Sequence, residues 1–420
     1  MLVNLLILGA GLLIYAENGL TSLFCLLAAV LFSYGIARLI PRHKWLLWIS
    51  IGIHGLFLVL FKLQTLTELT LPVVFGISYF TLKILSYHVD IYRGKYAPER
   101  SLFRYGLYVT YLPHLYLGPI ERFDHFREHA LTNRKICWNG ISYGALRILW
   151  GLFKKFVIAT RVGMIVSVLS ENATDLGGAF ALAAMVMYYL QLYADFSGGI
   201  DIIIGISGML GIVSSENFNA PYMAESVQEF WRRWHMTLGS WLREYVYIPL
   251  GGNRKGKFRK AVNLMITFLV SGLWHGIHYI LWGAINGIFV LIGEKCKTSS
   301  RFLNRIGTFF AISLLWAFFV WTDTALAIRM IASVFTTFNY AELAGSVSSI
   351  PLSLADWIVL LLSVPAVWFY DLRSQKIAER FHATNPAGRL AVLLALGLCI
   401  LVFGVYGIGF EAEAFIYSKF

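Results

Sequence analysis

Charge is scarce in this chain. Only 14% of its 420 residues are Asp, Glu, Lys or Arg, against about one quarter in soluble domains. The deficit comes with 58% hydrophobic residues and a mean hydropathy of +0.66. A water-soluble fold of this length would have to hide more apolar side chain than its interior can hold. A soluble globular protein is therefore excluded, and lipid is the solvent for much of the surface. Cysteine is equally thin: residues 25, 137, 296 and 399 stand alone, with no CxxC pair to suggest a zinc or redox motif. No alternating apolar pattern of roughly ten residues recurs, which argues against an outer-membrane barrel. Internal repeats, low-complexity tracts and soluble domains of useful size are missing too. The opening MLVNLLILGAGLLIY has neither a basic leading segment nor a small-residue cleavage site, so it reads as a retained first helix.

What is present is apolar length. A bilayer-crossing helix needs roughly 20 mostly apolar residues, with its backbone groups bonded within the segment. Leu20–Ile40, Trp45–Phe61, Gly177–Tyr193, Ala261–Trp282, Ile306–Trp321, Ile358–Tyr370 and Leu390–Phe410 answer that description. Leu71–Val89, Tyr105–Leu117, Ile141–Ala159 and Ile200–Val213 are more broken by Gly, Pro and polar residues. The expectation is an all-α polytopic membrane protein of about eleven helices, some short, re-entrant or interfacial. The chain, 1–420, reads as one membrane domain. Plain lipid-facing helices run to about residue 65, a core at 70–290 holds nearly all the intramembrane polar residues, and plain helices return before an aromatic tail at 411–420.

The net charge is +12. On a soluble protein that would suggest nucleic acid; here it reads as the positive-inside bias, and no nucleic-acid partner is expected. The basic residues cluster in loops, among them Arg38 to Lys44, Arg93 to Arg100, Arg254 to Lys260, Lys295 to Arg301 and Arg373 to Arg380, which are placed in the cytoplasm. Residues 171–175 and the stretch from Ala341 to Asp356 are placed outside. The basic face would also attract an anionic donor, such as a coenzyme A thioester or an acidic carrier protein.

Ionisable residues at membrane depth cost roughly 2.5–3.5 kcal/mol each on insertion scales, so they mark sites or pathways. In FLVSGLWHGIHYILWG (268–283), His275 stands in an apolar run beside Trp274, between Gly272 and Gly276. It is either a histidine bonding across helices or a general base able to accept a hydroxyl proton. His278 lies near it, but no carboxylate or cysteine completes a metal site. In PYMAESVQEFWRRWHMTLGSWLREYVYIPLGGNRKGK (221–257), Phe230, Trp231, Trp234, His235, Leu238 and Leu242 recur at helical spacing as one apolar face. Arg232, Arg233, Thr237, Ser240, Arg243 and Glu244 lie largely opposite, and Glu229 and Arg233 are spaced for an ion pair. An interfacial anchor explains this helix except for His235 on its apolar face. Pro249 to Asn253 should then break it. In QLYADFSGGIDIIIG (191–205), Asp195 either orients a histidine, pairs an arginine, or caps a helix end. Weaker polar signals come from His88, Asp90, His114 and Glu121, and Gly118-Pro119 should end or kink a helix.

At these segments the sequence resembles the membrane-bound O-acyltransferase (MBOAT) family, in its bacterial branch of polysaccharide O-acetylation and D-alanyl-teichoic acid transfer. The matching pieces are GISYFTLKILSYHVDIYRG, LGPIERF, YADFSGGIDIIIG, ENFNAPY, FWRRWHMTLGSWLREYVYIPLGGNRKG and SGLWHG, in family order across 70–290. The resemblance implies helices around a central funnel, with His275 as the base at the acceptor hydroxyl and His235 as a second histidine in the same tunnel. It implies donor or tunnel contacts from Asp195, Arg232, Arg233, Trp234, Arg243, Asn253 and Trp274. It implies no bound cofactor or metal, but an acyl thioester co-substrate, acetyl-coenzyme A or an acyl-carrier protein. The IPLGGNRKG loop looks more like the O-acetylation branch. The implied activity is therefore transfer of an acyl group, acetyl first, from a cytoplasmic donor to a hydroxyl of an envelope polysaccharide, with an extracytoplasmic SGNH-type acyltransferase as partner, in the plasma or inner membrane. D-alanyl transfer to teichoic acid is the alternative within the class. A transporter or flippase of an envelope precursor is the alternative outside it, but such a carrier should show two matching halves, and none is visible. The ending FIYSKF resembles an aromatic tail of some relatives. Tyr417 would then be an acyl relay, or else an interfacial anchor.

Overall fold

The computed structural model describes residues 2–63, 74–132, 134–293, 296–341, 350–406 and 415. Among the described residues every regular element is helical, as the apolar runs require. Six helices among the described residues are long and apolar enough to cross a membrane: Leu20–Leu39, Leu46–Leu63, Gly178–Met209, Arg301–Val320, Leu354–Ala383 and Pro386–Phe403. Shorter apolar helices, Leu2–Ala16, Ile277–Gly293 and Thr324–Thr336, accompany them. Leucines such as Leu361 and Leu401 lie 74% and 66% exposed. Each would cost about 1.5–3 kcal/mol to leave in water, so these surfaces face lipid.

The axis of the fold is Gly178–Met209: in its apolar 18-residue stretch 72% of the residues are buried, against 17% and 11% in those of the C-terminal helices Leu354–Ala383 and Pro386–Phe403. The sequence suggests two segments here, parted near Ser197-Gly198-Gly199; the structure forms one helix of 32 residues. Its glycines do not break it because they are used for close packing. A Cβ on Gly205 would meet the Gly144 carbonyl oxygen at 2.5 Å, and one on Gly151 would meet that of Gly198 at 2.3 Å. Helix Trp138–Phe153 therefore lies backbone to backbone along the axis, the small-residue contact that membrane helices favour.

Past that contact the chain takes a π-helical turn, Lys154–Ala159, before helix Thr160–Leu176. In a regular helix successive side chains diverge by about 100°; the wider turn lets two consecutive lysines reach the axis. Lys154 Nζ is 2.7 Å from Asp201 and Lys155 Nζ is 2.6 Å from Asp195. Arg147 adds contacts of 2.5 Å to Asp201 and 2.7 Å to Glu216. Asp195 is thus mid-helix and paired to a lysine where the sequence suggests an arginine, which rules out the helix-cap alternative; a carboxylate there needs a cation, because an unpaired charge is prohibitive in a low dielectric.

Two other expectations change. The run Ala261–Trp282 is not one helix: Gly256–His275 ends at Gly276, whose φ of 146° lies outside helical space, and a short turn Ile277–Tyr279 leads into Ile280–Gly293. The aromatic stretch with His235 is also interrupted, into Val227–Arg233 and Met236–Leu242.

Candidate active site

Both interruptions carry a histidine. Helix Val227–Arg233 starts with the Ser226 side chain accepting from the Glu229 N–H, and Glu229 holds Arg233 at 2.8 Å, the ion pair read from the spacing. It stops where His235 adopts φ 44° and ψ 54°. A side chain in this left-handed region costs about 1–2 kcal/mol, and such strain persists only where the surroundings over-determine it. Residues 216–219 do so. Asn217 O accepts from the Met236 N–H at 2.9 Å, and the Asn219 N–H donates to Arg233 O at 3.0 Å. The Asn217 side-chain oxygen accepts from the Thr237 N–H at 3.0 Å and its hydroxyl at 2.9 Å, and lies 3.3 Å from His235 Nδ1. Thr237 Oγ1 in turn accepts from the Ile120 N–H at 3.0 Å, tying in the GPIERF segment.

The second interruption is steric. His275 is the last residue of its helix, and the chain reverses at Gly276. A Cβ on Gly272 would stand 2.4 Å from Tyr279 O, and one on Gly283 2.4 Å from Phe268 O, so the two helices touch through glycine. The His275 ring is boxed by Trp274, Trp282 and Phe319, with centroids at 4.7, 5.4 and 5.8 Å. His235 meets the same Trp274 at 6.1 Å and Phe196 at 5.0 Å. The two imidazoles, 3% and 4% exposed, are thus set on one indole, though 40 residues separate them in sequence. The arrangement suits proton exchange in a compartment sheltered from water.

Beside this site lies a cavity of about 340 Å³ whose wall includes Arg147, Lys154, Tyr193, Asp201, Asp371 and Met236. Asp371 accepts from the Tyr193 hydroxyl at 2.5 Å and stands 3.8 Å from Lys154. Asn217, Arg147, Lys154 and Asp371 are not among the residues that the sequence singles out. The ionic three had a usable signal, a charge inside an apolar run; Asn217 had none, since asparagine in a polar loop is ordinary.

The other sequence candidates fall in different places. Trp234 is buried against Phe230 and Trp316. Arg232, Arg243 and Asn253 are exposed, and Arg233 is tied to Glu229 and to Asn219 O. His88 bonds Ser50 and Ser33 O, joining three N-terminal helices, and His114 bonds Ser214. Asp90 accepts from Lys95 and Tyr96. Tyr417 lies outside the described residues. Phe415 is described: its ring sits 4.7 Å from Lys155 Nζ and would touch a Cβ on Gly199 at 3.2 Å. Among the described residues no cluster of three His, Cys, Asp or Glu could hold a metal ion.

The family model described as MBOAT, membrane-bound O-acyltransferase family, matches residues 59–337, a span holding both histidines. A probable alginate O-acetylase AlgI of Pseudomonas fluorescens is 32% identical over 410 residues, covering 91% of this chain and 81% of that protein. The peptidoglycan O-acetyltransferase of Helicobacter pylori is 32% identical, over 74% of this chain and 69% of the relative. The teichoic acid D-alanyltransferase of Streptococcus thermophilus is 29% identical, over 69% and 74%.

Proposed function

This chain belongs to the membrane-bound O-acyltransferase family, and from that premise we propose that it moves an acyl group, acetyl first, from a cytoplasmic thioester to a hydroxyl of an extracytoplasmic envelope polysaccharide. The acceptor oxygen attacks the thioester carbonyl while its proton passes to an imidazole, His275 in this reading. The tetrahedral intermediate expels the thiolate, which takes that proton and leaves as a thiol. One C–O bond forms, one C–S bond breaks, and the histidine returns to its starting state. His235 shares the site, Trp274 walls it, and the sheltered setting limits thioester hydrolysis.

The observation that carries this reading is the pair of histidines, each at a helix interruption and both against Trp274. The charged cavity next to Met236 is the approach for the donor's polar arm; its wall includes Ser374 and Gln375, neighbours of the basic run Arg373 to Arg380 that is read as cytoplasmic. Arg232, Arg243 and Asn253 meet the donor or its carrier at the surface. The first acceptor oxygen is that of a relay, for which Tyr417 is a candidate, or of an SGNH-type partner beyond the membrane, which then passes the acyl group to the polysaccharide hydroxyl; the setting is the plasma or inner membrane. D-alanyl transfer from a carrier protein is the second reading, supported by the similarity to the streptococcal D-alanyltransferase.

Wild type and His275→Ala, brought to equal membrane levels in a cell lacking the native protein, test both readings. The expected outcome is loss of one acid released from envelope polymers by mild base. Acetate supports the first reading and D-alanine the second. Unchanged ester content against an active wild type removes His275 as the base and revives transport.

A further inference from the structure

Resting on the reading above, we propose that Asn217 is a positioning residue for acyl transfer: it locks His235 in the tautomer protonated on Nδ1, and so makes Nε2 the proton-accepting nitrogen of that ring. The hydrogen-bond arithmetic leads there. A backbone N–H can only donate, so the Asn217 atom 3.0 Å from the Thr237 nitrogen is the amide oxygen. The Thr237 hydroxyl already accepts from the Ile120 N–H, which leaves its own hydrogen for the same Asn217 oxygen at 2.9 Å. That oxygen is also 3.3 Å from His235 Nδ1. An oxygen with no hydrogen to give can only accept, so in the neutral ring Nδ1 carries the proton. Asn217 is fully buried, so water does not offer Nδ1 a competing partner from that side. Its Nδ2 has no partner among the described residues; the amide is held for its oxygen.

The consequence is chemical. A neutral His235 so fixed presents an acceptor at Nε2. It can receive a proton from a hydroxyl, and it cannot donate to a thioester carbonyl until it has done so. Asn217 acts through the ring and touches no reacting atom.

The test compares initial rates at which base-labile ester appears on envelope polymers, normalised to membrane level, for the full chain and four variants. Asn217→Ala should slow transfer about 10- to 100-fold, by analogy with the loss when the hydrogen-bond partner of a metal-bound histidine is removed. Asn217→Asp keeps an oxygen acceptor for both Nδ1 and the Thr237 N–H and should stay within about fivefold of wild type, and the next variant tells the ring contact from the strap. Thr237→Val removes the strap's hydroxyl but keeps the ring contact, and should stay within about threefold. Asn217→Ala at the wild-type rate, or Asn217→Asp as slow as Asn217→Ala, overturns the inference. If Asn217→Ala does not reach the membrane, the Asp variant alone decides: a rate down more than about 100-fold at normal membrane level refutes the tautomer lock. His235→Ala separates the two layers. Should it transfer at the wild-type rate, the underlying site reading falls; should it be inactive while Asn217→Ala is not, only the inference does.

Discussion

The two helix interruptions that carry the histidines are built by opposite means. At His235 a side chain occupies left-handed space, held there by polar ties: Asn217 to Thr237, Glu216 to Arg147, and Ser215 to Glu121. At His275 the bend belongs to the next residue, Gly276, and is fixed by glycines that let backbone meet backbone. The first is electrostatic and strained, the second steric and relaxed. They should therefore fail differently, and each expectation below loads one and spares the other.

The largest effect is expected at the polar ties. Arg147→Ala removes the buried partner of Asp201 and releases Glu216, next to Asn217. Breaking a buried pair costs about 3–5 kcal/mol, and Lys154 remains on Asp201, so the low end applies, about 3 kcal/mol. Thermal unfolding in detergent should show it, with transfer lost. A variant as stable as wild type would mean that the ties do not bear on the His235 bend.

Gly272→Ala loads the other bend. Its methyl would stand 2.4 Å from Tyr279 O, so the helix pair must part, at about 1–3 kcal/mol. A displacement near 1 Å at a catalytic group can cost about 100-fold in rate. The rate of ester formation should fall by that order at a modest loss of stability. An unaffected rate would show that the tight glycine contact does not position His275.

His235→Gly separates strain from chemistry. Glycine enters left-handed space freely, so this variant should be more stable than His235→Ala by about 1 kcal/mol while both lack transfer. Equal melting temperatures would mean that the strain at 235 is not stored.

This contrast also explains what could be read from the amino-acid order. The steric bend is only half legible: SGLWHG puts two glycines around a lone histidine, yet the apolar run Ala261–Trp282 reads as one helix. Apolar stretches themselves are legible because apolar length is a local property. The polar bend is silent: His235 continues an aromatic periodicity that looks like one unbroken helix, and what interrupts it is a loop asparagine 18 residues earlier. The Ser197-Gly198-Gly199 run misleads in the other direction. Glycine there signals close approach to Gly151, and only the partner helix distinguishes that use from a break.

The smallest expected effect is a pH dependence confined to the polar bend. Glu121 anchors Ser215 through both its N–H, at 2.5 Å, and its hydroxyl, at 3.1 Å, and also pairs with His125 at 2.9 Å. The Glu121 hydrogen bond raises the His125 pKa above its ordinary 6.5 against a smaller desolvation penalty. The sign follows from linkage: a group whose folded pKa is raised contributes fully below its unfolded value, and the contribution is lost as pH rises through the folded value. Between those limits His125 releases its proton and Glu121 keeps only the Ser215 contacts. His125 is about one third exposed, so solvent screens the pair and the change is slight. Melting temperature should fall slightly from pH 6 to 8 in wild type, and His125→Gln should flatten that slope. Gly272→Ala should retain it, because that change leaves the Glu121–His125 pair untouched. A slope that survives His125→Gln would assign the titration elsewhere and leave the two bends alike in their response to pH.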